Sequence, residues 1–60
     1  MWTLRHKELQ DHFILIDTKE DTWTYVEGYA QATKWSTQTA AEINRDKYCR
    51  LPWIIMYEHN

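Results

Sequence analysis

A single cysteine, Cys49, most limits how this 60-residue chain can be held together. A domain of this length buries only about 60 % of the surface that its unfolded form exposes, and small domains commonly add disulfides, a metal or a partner subunit. One cysteine excludes a disulfide within the chain, so its stability must come from an apolar core or from association. A lone cysteine without a secretory signal also predicts a reducing, cytoplasmic location.

Alternating polar and apolar residues predict three strands in the first half of the chain. Trp2–Lys7 alternates strictly, which indicates a half-buried strand. His12–Asp17 is apolar on both faces, as in a central strand. Thr22–Glu27 alternates again and is rich in β-branched and aromatic residues. The polar residues 18–21 predict a hairpin loop, and Gly28 ends the third strand because glycine readily adopts positive φ.

One helix is predicted in the second half. Ser36 is a good N-cap with Thr37 as the alternative, and an N-cap at Ser36 would let Trp35 pack on Ala40 as a hydrophobic staple. The helix should extend to about Tyr48. Its inner stripe is thin, and at 100° per residue it comprises Ala40, Ala41, Ile43, Asn44, Lys47 and Tyr48.

Pro52 ends any helix before it, and the apolar segment Trp53–Glu58 is predicted to be the last strand. The order is therefore β-β-β-α-β in a single domain, residues 1–60. We expect the first three strands to form an antiparallel meander, with the helix packed on one face of a mainly antiparallel sheet. The fold class is α+β, a small two-layer sandwich.

The chain has more aromatic side chains than one thin helix can cover. Four Trp, four Tyr and one Phe each bury about 150–250 Å² when enclosed. Uncovered aromatic surface usually marks an interaction site, so Trp23 and Tyr25 are predicted to be partner-binding anchors. The predicted polar rim of this surface is acidic and comprises Asp17, Glu20, Asp21 and Glu27.

Two other uses of the same rings stay open at this point. The rings could shield one another and simply stabilise a small core, or the surface could be self-complementary and form a homodimer. A basic groove lined with aromatic rings would indicate single-stranded nucleic acid. Here the basic residues are scattered among acids and the net charge is −2, so we expect that partner only as a minor alternative.

Catalysis and metal binding are not predicted. His6, His12, His59 and Cys49 lack the spacing of a structural zinc site, so no metal or other cofactor is expected. Cys49 follows the predicted helix, where the helix dipole disfavours a thiolate. The single glycine excludes phosphate-binding and dinucleotide-binding loops. The longest apolar runs are too short to span a bilayer. We therefore expect a cytoplasmic protein that is not an enzyme.

The chain resembles short proteins encoded by phages and mobile elements, which often combine a small β-hairpin with an A-x-x-aromatic-S/T-x-x-x-A helix entry. Here the entry is Ala32–Ala40 and the hairpin is His12–Glu27, together about half of the chain. The resemblance implies an accessory protein that binds and blocks a host protein or complex, as anti-CRISPR proteins and other host-protein inhibitors do. It assigns no functional residues.

Overall fold

The computed structural model describes residues 1–59 and contains one four-stranded sheet and one α-helix, which confirms the predicted α+β fold. All neighbouring strands are antiparallel, and the order across the sheet is β3-β2-β1-β4. The first three strands form the predicted meander, and the last strand pairs with the first. The elements are β1 (Trp2–His6), β2 (His12–Asp17), β3 (Thr22–Glu27), a 3₁₀ turn (Tyr29–Gln31), α1 (Gln38–Tyr48) and β4 (Ile54–Glu58).

The two central strands separate along part of their length. β1 and β2 pair at Arg5 and Phe13, whereas β1 pairs with β4 along its whole length. Beyond that point, residues 33–35 lie between β1 and β2. Trp35 and Trp2 exchange backbone hydrogen bonds of 2.7 Å in both directions.

Two threonines hold residues 33–35 in this gap. The fully buried hydroxyl of Thr3 donates to the carbonyl of Thr33 at 2.6 Å. The Thr33 hydroxyl accepts a hydrogen bond of 2.9 Å from the N–H of Ile16, and the Thr33 N–H donates to the Ile14 carbonyl. The segment thus supplies the partners that buried strand backbone requires, in place of a continuous β1–β2 ladder.

The main core lies between the sheet and α1. Leu4 and Ile14 are fully buried, and Ile54 is nearly so. From the helix, Ala41 is fully buried in the same cluster, and Cys49 joins it just beyond the last turn. α1 contacts mainly β1 and β4, so it covers one half of this face and leaves the β2–β3 half to be covered by side chains.

The predicted helix start was wrong by one residue. Thr37, not Ser36, is the N-cap, and its hydroxyl accepts a 3.1 Å hydrogen bond from the N–H of Ala40. Trp35 is held in extended conformation by its bridge to Trp2, so the chain needs Ser36 to turn before the helix begins. Trp35 is therefore two residues before the cap and does not have the staple position opposite Ala40.

The predicted inner stripe was also partly wrong. Ile43 is 60 % exposed, whereas Arg45, which lies outside the predicted stripe, is half-buried. The fully buried Ala41 lies at the centre of the contact with the sheet, since a small side chain allows the helix to approach closely. Ile43 is rotated about 200° from Ala41 and so points away from the sheet.

The predicted strand ends need only small corrections. Lys7 and Trp53 lie just outside β1 and β4, although the Lys7 N–H still donates to the Trp53 carbonyl. Gly28 has a φ of 89°, as the sequence predicted. Within residues 1–59, no helix is long and apolar enough to cross a membrane.

Candidate functional site on the edge strand β3

β3 lies at one edge of the sheet and has β2 as its only strand partner within residues 1–59. The N–H of Gly28 donates to the carbonyl of Asp11, and this bond shows which residues of β3 direct their backbone groups toward β2. In an antiparallel pair, backbone groups point alternately toward the partner strand and away from it. The outward N–H and C=O groups of β3 therefore belong to Trp23, Tyr25 and Glu27, three of the residues predicted to bind a partner.

The side chains of Trp23 and Tyr25 lie on the helix side of the sheet, in the half that α1 leaves uncovered. Their rings meet edge to face, with centroids 5.2 Å apart. Tyr25 also contacts two imidazoles, with centroid distances of 5.5 Å to His6 and 6.1 Å to His12. We call the group the edge cluster; it consists of His6, His12, Trp23, Tyr25 and Trp53.

Trp53 joins the edge cluster from the other edge of the sheet, where it comes just before β4. Its indole Nε1 donates a 2.8 Å hydrogen bond to the hydroxyl of Tyr25. Burial raises the pKa of the Tyr25 phenol, although the hydrogen bond from Trp53 acts in the opposite direction. Tyr25 lies in β3 and Trp53 comes just before β4. This side-chain hydrogen bond therefore links the two edge strands across the sheet.

The edge cluster is only partly exposed. Trp53 is 41 % exposed and Trp23 and Tyr25 are half-buried. Leu9, in the loop between β1 and β2, is 49 % exposed, and its N–H donates to Nδ1 of His6. The loop that adjoins His6 therefore also carries an exposed apolar side chain, a composition found where aromatic anchors meet a partner.

The predicted acidic rim is divided between the two ends of β3. Asp17, Glu20 and Asp21 lie at the hairpin between β2 and β3, and Glu27 lies at the opposite end of the strand. All four are exposed. Asp17 has a structural role as well, because its carboxylate accepts hydrogen bonds from the N–H groups of the next turn residues, Lys19 and Glu20. Asp21 has a positive φ of 56°, which fits the hairpin turn.

A fifth carboxylate, which the sequence reasoning missed, lies at the Glu27 end of β3. Asp11 Oδ1 is 2.9 Å from His12 Nδ1, and this hydrogen bond lowers the pKa of the Asp11 carboxyl. The pairing of β2 with β3 places His12 opposite Glu27. Both ends of the edge strand therefore carry exposed carboxylates.

A second ring cluster lies on the opposite, helix-free face of the sheet. Phe13 is buried there beneath Tyr29 and Tyr57, with ring centroids 5.9 and 5.5 Å away. Two cations cover these rings: the Arg5 guanidinium lies 5.0 Å from the Tyr57 centroid, and the Lys34 ammonium lies 4.7 Å from that of Tyr29. The 3₁₀ turn thus acts as a small lid on the face that α1 does not cover.

These two clusters show how so many rings are accommodated. Of the nine aromatic side chains, Phe13 is buried, Trp53 is exposed and the others are half-buried. Mutual contact among the rings removes part of the aromatic surplus that the sequence predicted. The edge cluster contains the one exposed ring of the nine, that of Trp53, and lies beside a strand with open backbone groups.

Within residues 1–59, no three His, Cys, Asp or Glu side chains come together as metal ligands would. Cys49 is buried at the end of α1, and desolvation raises the pKa of its thiol to about 11. Arg45 acts in the opposite direction and is outweighed.

The Cys49 thiol should react slowly in the folded protein. With a pKa of about 11 instead of 9.0, its thiolate fraction at pH 8 is about a hundredfold lower. We expect alkylation by iodoacetamide at pH 8 to be at least tenfold slower than for the same protein in 8 M urea. The raised pKa stabilises the fold below pH 9, and this stabilisation is lost as the pH rises through 11. Equal alkylation rates in the two states would contradict the buried position of Cys49.

Sequence reasoning placed Trp23, Tyr25 and the acidic residues correctly along β3 but missed their neighbours. His6 and His12 could have been found, because the alternation of β1 and β2 puts them on the same face as Tyr25. No local signal could have found Trp53, whose contact with Tyr25 spans 28 residues of sequence. A comparison with known proteins found no matching family model, curated protein or solved structure.

Proposed function

We propose that this protein is a small protein-binding module that adds the open edge of β3 to a strand of a partner protein, without catalysis. The observation that carries the proposal is the coincidence of two features at one place. The outward backbone groups of β3 belong to Trp23, Tyr25 and Glu27, and an aromatic cluster that includes the exposed Trp53 lies beside them. Strand addition uses the backbone for affinity and neighbouring side chains for specificity.

The charges at β3 favour a basic partner strand. Exposed carboxylates lie at both ends of β3, from the hairpin residues Glu20 and Asp21 to Glu27 and Asp11. Rim charges of this kind accelerate encounter and select against acidic partners. Pairing with β3 would cover this strand of the partner and block its surface by occlusion. The narrower prediction, a phage-type inhibitor of a host protein in the cytoplasm, rests on the sequence resemblance and stays a prediction.

The helix-free face supports single-stranded nucleic acid less well. Such a partner needs free ring faces on which bases stack. Here Arg5 and Lys34 already lie over the rings of Tyr57 and Tyr29, and the Lys34 ammonium also donates to the carbonyls of Ala30 and Ala32. The cations therefore cover the rings on which bases would have to stack.

A matched pair of glutamates allows a test of the backbone contribution. Glu27 and Glu58 are each exposed and each end an edge strand, and their N–H groups point away from the sheet. Proline at either position removes an outward donor but leaves the inner ladder intact. We expect Glu27→Pro to reduce recovery of the partner from host lysate by tenfold or more, measured by quantitative mass spectrometry, with no reduction for Glu58→Pro.

The anchor is tested with the partner so identified. Trp23→Ala should weaken its affinity at least about thirtyfold in calorimetry, as expected for a central aromatic anchor. Circular dichroism of the variant must show that the fold is retained at the temperature of the measurement. Unchanged affinity for folded Trp23→Ala, or equal recovery with both proline variants, would remove the assignment of β3 as the binding site.

A further inference from the structure

β4 lies at the opposite edge of the sheet, and among residues 1–59 no strand pairs with its outer side. The hydrogen bonds at the two ends of its ladder with β1 show which of its backbone groups point outward. Met1 and His59 exchange hydrogen bonds, and the Lys7 N–H donates to the Trp53 carbonyl. The odd-numbered residues of this segment therefore direct their backbone groups toward β1. Ile54, Met56 and Glu58 direct theirs outward, and of these the Ile54 N–H is already bonded to Leu51.

A cleft of about 380 Å³ lies beside the start of β4, between this strand and the end of α1. Its apolar wall includes Ile54 and Ile55, and its charged groups are Arg45, Asp46 and Arg50. Arg45 Nε forms a long ion pair with Asp46 Oδ1 at 3.9 Å, which leaves the exposed Arg50 as the remaining charge. The cleft thus carries a net positive charge, and at the other end of the same strand Glu58 is an exposed carboxylate.

We propose that a second copy of this chain pairs with β4 in antiparallel orientation, with Met56 on the two-fold axis. This register lets each Met56 N–H donate to the Met56 carbonyl of the other copy, and each Glu58 N–H donate to the Ile54 carbonyl. Directly opposite residues share a face of the sheet. The Glu58 side chain of each copy therefore lies beside Ile54 of the other, at the Arg45–Arg50 cleft.

The two side-chain faces of β4 fit the same register. On the helix side, the half-buried Met56 meets its own symmetry mate. On the helix-free side, Ile55 faces Tyr57 of the second copy, an aromatic and β-branched pair of the type that stabilises cross-strand contacts. An isologous two-fold contact of this kind is closed, so it yields a dimer and not a filament.

Pairing along one short strand buries a small area, so the dimer is expected to be weak. Interfaces below the standard size are typically transient. We expect sedimentation velocity to show monomer at about 10 μM and an increasing dimer fraction toward about 1 mM. A protein that stays monomeric at the highest concentration overturns the proposal.

Charge reversal tests the assigned register. Glu58→Arg and Arg50→Glu should each weaken self-association by about tenfold or more, because like charges then meet twice across the axis. An equal mixture of the two variants restores both opposite-charge pairs and should associate at least as well as wild type. Failure of the mixture to associate overturns the pairing of Glu58 with the cleft.

The two proline variants, Glu27→Pro and Glu58→Pro, show which edge of the sheet forms the dimer. Glu58→Pro should abolish dimerisation because the Glu58 N–H is a donor in the interface, whereas Glu27→Pro should leave it unchanged. The reverse pattern would assign self-association to β3 and overturn the proposal. The result is independent of partner binding, since that function is predicted to be lost in Glu27→Pro and kept in Glu58→Pro.

Discussion

Replacing Ile14 with alanine should remove a large fraction of the protein's stability at 25 °C. Ile14 is fully buried in the core cluster that also contains Leu4 and, from the helix, Ala41. Truncation of such a side chain to alanine costs about 2–5 kcal/mol. At about 0.05–0.15 kcal/mol per residue, a chain of 60 residues has a total stability of only ~3–9 kcal/mol. The substitution therefore removes a large fraction of the free energy of unfolding.

Leu15 provides the matched control for Ile14. It is the next residue of β2, but it points to the helix-free face and is 38 % exposed. Leu15→Ala should cost less than about 1.5 kcal/mol, because a partly exposed side chain loses less transfer free energy. Urea unfolding followed by tryptophan fluorescence measures both variants. Equal losses of stability would contradict the assignment of the main core to the helix side of the sheet.

Replacing Thr33 with valine should cost about 1–3 kcal/mol, although the side chain keeps its shape. The Thr33 hydroxyl is the acceptor for the N–H of Ile16 at 2.9 Å. Valine removes that acceptor and leaves a strand N–H without a partner in the gap between β1 and β2. The loss also loosens residues 33–35, so the backbone amides of Thr33 and Trp35, which are hydrogen-bonded to Ile14 and Trp2, should exchange with solvent faster than they do in the wild-type protein.

Thr24 serves as the control for Thr33. It is an exposed threonine on the helix-free side of β3, and none of the hydrogen bonds within residues 1–59 involves its hydroxyl. Thr24→Val should change the free energy of unfolding by less than about 0.5 kcal/mol, as surface substitutions usually do. If Thr33→Val were as mild, residues 33–35 would not depend on this hydrogen bond to stay in the sheet.

The local patterns of the chain were sufficient for its elements. The ranges predicted for β2 and β3 match the structure, because each strand is bounded by polar turn residues and its side chains alternate in the expected way. The positive φ of Gly28 and the end of α1 before Pro52 also follow from local stereochemistry. The choice between Ser36 and Thr37 as N-cap could not be made locally, since Trp35 is fixed by a bridge to Trp2, at the other end of the sequence.

The candidate site, like the fold, could be predicted from local sequence only in part. Periodicity put Trp23 and Tyr25 on one face and the four carboxylates near the ends of β3. It could not place β3 at an edge, because strand order depends on which pairings bury the most apolar surface once β4 has joined β1. The outward backbone groups of β3 and β4, on which both proposed contacts depend, follow from that order.

By itself, the sequence determined the strand periods, the hairpins and the helix, which depend on interactions between near neighbours, and its single cysteine excluded a disulfide within the chain. Only the tertiary structure decided which residues close the core from a distance. Trp53 reaches Tyr25, Trp35 pairs with Trp2, and Thr33 fills the gap between β1 and β2. The physical reason is that these contacts form only after the sheet has assembled, and no short window of sequence contains both partners.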